Sequence, residues 1–104
     1  MEITKPEKIT VTVDSDLKDL VAGYLDNRRL DIETIKTSME EGDFETIKFI
    51  GHSMKGSGGG YGFDRITELG AALERSAKGQ DTAVLNTLTL KLSDYLGRLE
   101  IVFG

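Results

Sequence analysis

The chain contains no cysteine, a single proline and a single histidine. Without cysteine there is no disulfide, no thiolate nucleophile and no cysteine-ligated zinc. One imidazole is too few for a histidine metal site, so no metal centre is expected. No apolar run reaches membrane-spanning length. The start Met1-Glu2-Ile3-Thr4-Lys5-Pro6 has neither the apolar core of a signal peptide nor the arginine-rich pattern of a transit peptide. A cytoplasmic location with no membrane contact is the resulting expectation. Positive charge is also in deficit: 13 lysines and arginines against 18 acids leave a net charge of -5, which disfavours nucleic acid as a partner.

What remains is a chain of 104 residues, 38% hydrophobic and 30% charged, enough for one core and too short for two ordinary domains. Residues 1–13 read as an N-terminal arm, where Ile9, Val11 and Val13 alternate with polar residues as in an extended segment or short strand. From 14 to 104 the pattern is helical. After the plausible caps Asp14 and Ser15, the stripe Leu17, Leu20, Val21, Tyr24, Ile32, Ile35 and Met39 predicts a long amphipathic helix ending at Gly42. Asp43 can cap a second helix. A third runs through Ile66, Leu69, Leu73 and Ala77 between Asp64 as N-cap and Gly79. The fourth follows Asp81 along Leu85, Leu88, Leu92, Tyr95, Leu96, Leu99 and Val102. Four such stripes joined by short turns bury one another most simply as an all-α, antiparallel four-helix bundle with a short extended N-terminal arm. The charged exterior shows no second seam, so a monomer is expected.

His52 stands in the run Gly51-His52-Ser53-Met54-Lys55-Gly56-Ser57-Gly58-Gly59-Gly60-Tyr61-Gly62-Phe63. At about 100° per residue, Ile47, Ile50, Met54 and Tyr61 fall opposite His52 and form the core stripe. Lys48, Phe49, Lys55, Gly56 and Gly59 fall within roughly 60° of it, on a face that should meet solvent. That projection carries the helix through Gly58, Gly59 and Gly60, although each glycine costs about 1 kcal/mol relative to alanine. Gly56 and Gly59 would leave the approach to His52 open, whereas Gly58, nearer the core, would let another helix pack tightly. Imidazole is a good phosphoryl acceptor near neutral pH, and Lys55 and Lys48 can supply charge for phosphoryl oxygens. The bland alternatives are a surface histidine with no task, solvated lysines, and Phe49 packing at the edge of the core.

Other chemistries fit poorly. Gly51 and Gly56 have Walker-loop spacing, but Ser57 stands where that motif needs its lysine. Glu40 and Glu41 read as a solvated helix end, and no serine is set in a nucleophile elbow.

His52-Ser53-Met54-Lys55-Gly56-Ser57, followed by Gly62, Leu69, Leu73 and Glu74, resembles the histidine-containing phosphotransfer (HPt) domain family. Met54 replaces a more usual leucine, and the glycine run is richer than typical. The resemblance implies a two-component phosphorelay carrier that takes a phosphoryl group on His52 from an aspartyl phosphate of a response-regulator receiver domain and passes it on. On the same basis Lys55 stabilises the phosphoryl group, Gly56 and Gly59 keep the approach open, and Lys48 and Phe49 join the partner-binding face. Implied partners are the receiver and a sensor or hybrid histidine kinase. No cofactor is implied in this chain, since magnesium would come with the receiver, and the chain would be a phosphohistidine intermediate rather than a self-sufficient kinase. The competing readings are a helical adaptor that binds such domains without accepting phosphate, and a sugar-transport phosphocarrier, whose α/β fold the helical pattern opposes.

Overall fold

The computed structural model describes residues 7–104. Four helices, α1 (Lys18–Glu41), α2 (Phe44–Ser57), α3 (Asp64–Lys78) and α4 (Thr82–Arg98), pack in a ring as a four-helix bundle, with α1 closing against α4. Two short strands, β1 (Ile9–Val13) and β2 (Leu99–Phe103), pair in parallel beside it. Of the N-terminal arm, residues 1–6 lie outside the described residues, and 9–13 form β1. Among the described residues no helix is long and apolar enough to cross a membrane.

Local chemistry sets the helix ends. Gly42 takes the left-handed conformation at φ 70°, and its N–H and that of Asp43 close the last turn of α1. The Asp43 carboxylate then accepts the Thr46 N–H at 3.1 Å and the Thr46 hydroxyl at 2.6 Å, starting α2. Asp81 does the same for α4, accepting from Val84 N–H at 3.2 Å. At the α3 end Gly79 keeps a right-handed conformation, and Gln80 takes the left-handed one at φ 52°. The core is built from Ile35, Ile47, Met54, Phe63, Ile66, Leu73, Leu85 and Leu92, all 0% exposed. Tyr24 fastens α1 to the turn that follows α2 by stacking on Tyr61 at 4.2 Å between ring centroids.

Four sequence expectations are corrected. Leu99 and Val102 do not extend α4: Leu-Glu-Ile-Val-Phe is rich in β-formers and finds a ladder partner in β1, at the other end of the chain. Helix α2 ends at Ser57, and Gly59–Tyr61 form one 3₁₀ turn, consistent with the weak helix propensity of successive glycines. Asp64 is the first residue of α3 rather than its cap, with Phe63 before it. Leu20 is 56% exposed and takes no part in the core.

The contact that positions the site is between α2 and α3. A Cβ on Gly51 would stand 2.6 Å from the Glu74 nitrogen and 2.7 Å from the Gly70 oxygen, and one on Gly70 would stand 2.6 Å from the Lys55 nitrogen. The two helices therefore meet backbone to backbone. Gly58 continues the contact, 2.7 Å from the Thr67 nitrogen by the same construction, as its place near the core suggested. Gly51→Ala or Gly70→Ala should destabilise the fold by about 1–3 kcal/mol, because backbone rather than a flexible side chain must yield. Gly56, with nothing within 4 Å of its Cβ position, should instead gain about 0.5–1 kcal/mol as alanine. Urea unfolding of the three variants checks these opposite signs.

Candidate functional site

His52 lies in the second half of α2, its side chain 70% exposed, as the helical projection predicted. Immediately before it, Gly51 is buried against α3. One helical turn beyond Gly70, Glu74 is thereby brought to the edge of the α2–α3 seam, its side chain 14% exposed. Glu74 Oε2 lies 2.9 Å from His52 Nδ1, and Oε1 lies 3.5 Å from Lys55 Nζ. One carboxylate holds both residues of the sequence motif.

Partial burial pushes the Glu74 carboxyl up, but the hydrogen bond from His52 and the charges of Lys55, His52 and Lys78 outweigh it and hold it below its ordinary value. An ionised carboxylate only accepts, so Nδ1 is the donor. In the neutral ring that assignment leaves the lone pair on Nε2, which has no hydrogen-bond partner among the described residues. The arrangement fixes both ring orientation and tautomer, and it presents a nucleophilic nitrogen at an exposed surface.

The other residues singled out in the sequence divide into two groups. Phe49 is 72% exposed on the same helix, an apolar ring in water. Gly56 adjoins open space, and a Cβ on Gly59 would make only ordinary contacts at 3.6 and 3.7 Å. Lys48, by contrast, is paired with Glu45 at 3.3 Å on its own helix. On the α1 side, Ser57 Oγ donates to the Ser53 carbonyl at 2.9 Å, which leaves Tyr24 to donate its hydroxyl to Ser57 Oγ at 2.8 Å. Gly59 N–H donates to Thr67 Oγ1 at 2.8 Å, tying the glycine turn to α3.

A family model described as Hpt domain matches residues 19–100. The chain belongs to the Hpt domain family. No curated protein and no solved structure matches it. Membership makes this a phosphotransfer-type domain of two-component systems, and the match runs from the first turn of α1 to the start of β2.

In this Hpt domain the sequence motif singles out His52 and Lys55, whereas Glu74 and Lys78 enter only through their places on α3. A signal was present: Gly51 and Gly70 are small residues flanking two apolar stripes. Such residues mark a close crossing that brings their neighbours together.

Because His52 is the only histidine, its ring nitrogens can be assigned directly by ¹H–¹⁵N NMR. Protonated Nδ1 should dominate the neutral form in the wild type, and Glu74→Ala should shift the population toward protonated Nε2. The lowered Glu74 pKa also fixes a sign for stability. Its contribution is present above the unfolded carboxyl value and is lost as pH falls through the lower folded value. Urea unfolding should accordingly show Glu74→Ala less stable than wild type at neutral pH, with the difference narrowing as pH falls through the lowered Glu74 value.

Proposed function

We propose that this Hpt domain is a phosphorelay carrier: His52 accepts a phosphoryl group reversibly from an aspartyl phosphate of a response-regulator receiver domain and passes it on. The observation that carries this reading is the exposed His52 ring, held through Nδ1 by Glu74 with Nε2 unencumbered. Residues 14–104 act as the carrier domain, working in the cytoplasm with a receiver and a sensor or hybrid kinase.

In the transfer, the Nε2 lone pair attacks phosphorus in line with the acyl oxygen. The N–P bond forms, the O–P bond breaks, and the receiver aspartate leaves with that electron pair. The imidazole becomes a cationic phosphoimidazole that keeps its Nδ1 proton, and Glu74 stabilises that charge across the 2.9 Å contact. Lys55 offsets the negative charge of the incoming phosphoryl oxygens. It is 52% exposed and tethered only loosely, at 3.5 Å from Glu74, so it can turn toward them. Phe49 gives the docking face its apolar contact, and Gly56 and Gly59 leave room for the receiver backbone beside the ring. Lys48 contributes long-range attraction to an acidic receiver surface once it parts from Glu45. Magnesium travels with the receiver. Reversal follows the same path, the phosphohistidine donating to another aspartate.

The test incubates wild type, His52→Gln and Lys55→Ala with a phosphorylated receiver and follows the label. Wild type should acquire an acid-labile, base-stable phosphoryl group. His52→Gln should bind the receiver yet take no label, and Lys55→Ala should be labelled on the order of tenfold to a hundredfold more slowly. Receiver binding without labelling of the wild type, across a panel of receivers, would replace the carrier with the helical adaptor.

A further inference from the structure

Among the described residues the two-stranded sheet leaves one edge open. Thr12 of β1 lies against the Gly62 turn, 3.4 Å from the Gly62 Cβ position, so β1 is covered on its far side. Among the described residues no backbone hydrogen bond reaches β2 from outside the pair. Of the usual protections of a free edge β2 has a short length and one charge, Glu100, but Leu-Glu-Ile-Val-Phe has no proline or lysine, and its pairing with β1 runs in unbroken register. Beneath it lies an open groove of about 400 Å³, lined by Ile101 and Phe103 from the strand and by Lys18, Ala22, Asp26 and Arg29 among the α1 residues. Val102 and Phe103 are 45% and 37% exposed.

We infer that this edge is a self-association surface, on which β2 of a second copy pairs antiparallel to form a continuous sheet β1-β2-β2-β1. The occupant is indicated by the register. Centred on Ile101, the pairing sets Leu99 opposite Phe103, Ile101 opposite itself, and Glu100 opposite Val102. Every groove-facing apolar residue meets an apolar partner, and the only strand charge does not face its own copy. At the rim Asp26 and Arg29 already pair with each other at 2.9 Å, and Lys18 lies 5.7 Å from the Phe103 ring centroid, so the apolar register rather than the rim charge specifies the partner. The monomer expected from sequence rests on a helical reading of Leu99 and Val102, which contains no such edge. Ala22 and Asp26 each stand two residues from Tyr24, hence about 160° round α1 from the flank that bonds Ser57. The dimer therefore leaves both His52 faces free and yields a bivalent carrier.

The test is sedimentation equilibrium of the full chain up to submillimolar concentration, with V102E and V102K. Val102 is on the outer face of β2, so either charge is solvated in the monomer. Wild type should approach twice the 11.4 kDa chain mass. V102E sets glutamate against Glu100 twice per dimer and should weaken association roughly tenfold or more, whereas V102K makes two opposite-charge pairs and should retain it, with salt sensitivity. A wild type that stays monomeric, leaving the edge to an extended segment of another protein, overturns the proposal. So does a V102E dimer as tight as wild type. Should circular dichroism show V102E to be poorly folded, V102K decides alone: association retained supports the edge, association lost overturns it.

Discussion

Gly51 and Gly70 meet without side chains between them, and the separation of α2 and α3 follows from that fact. Any Cβ at either position would collide with backbone of the opposite helix, so the closeness of the pair depends on two missing methyl groups. Glu74 is placed by the same contact. Its nitrogen lies 2.6 Å from where a Gly51 Cβ would stand, and its carboxylate then reaches across the seam to His52. Were the helices held apart by even one methyl-sized residue, the 2.9 Å hydrogen bond would lengthen beyond useful geometry.

From that approach follows a division of labour around one carboxylate. Its two oxygens hold a ring nitrogen and an ammonium group, and the positive neighbours keep it ionised despite partial burial. An ionised Glu74 orients the imidazole and selects its tautomer. Because His52 is largely exposed, an exposed charge pair by itself would contribute little stability. The pairing is more consequential for the chemistry of the ring than for folding: it holds Nδ1 and leaves Nε2 without a hydrogen-bond partner among the described residues.

Away from that seam β1 and β2 are joined by a parallel ladder. β1 and β2 come from opposite ends of the sequence, and the Arg98 side chain also donates to the Glu7 carbonyl at 2.7 Å. Parallel pairing needs a long crossover, and here the four-helix bundle is that crossover. The price, among the described residues, is an unsatisfied edge on β2 above a groove lined in part by Val21, Leu25, Ile101 and Phe103.

The sequence by itself determined the elements whose causes are local. Apolar spacing specified four helices, Gly42 and Asp43 specified the break between the first two, and the 3.6-residue period placed His52 outward with Met54 inward. Its resemblance to the family rested on a short run within one helix, where local order is enough. Only the tertiary structure decided what depends on residues distant along the chain. Leu99 and Val102 fit a helical period equally well until β1 offers a ladder, and Leu20 fits the α1 stripe although no neighbouring helix covers it. Glu74 has no sequence proximity to His52. Its role exists because two glycines let two backbones touch, and no periodicity within a single helix records the distance between helices.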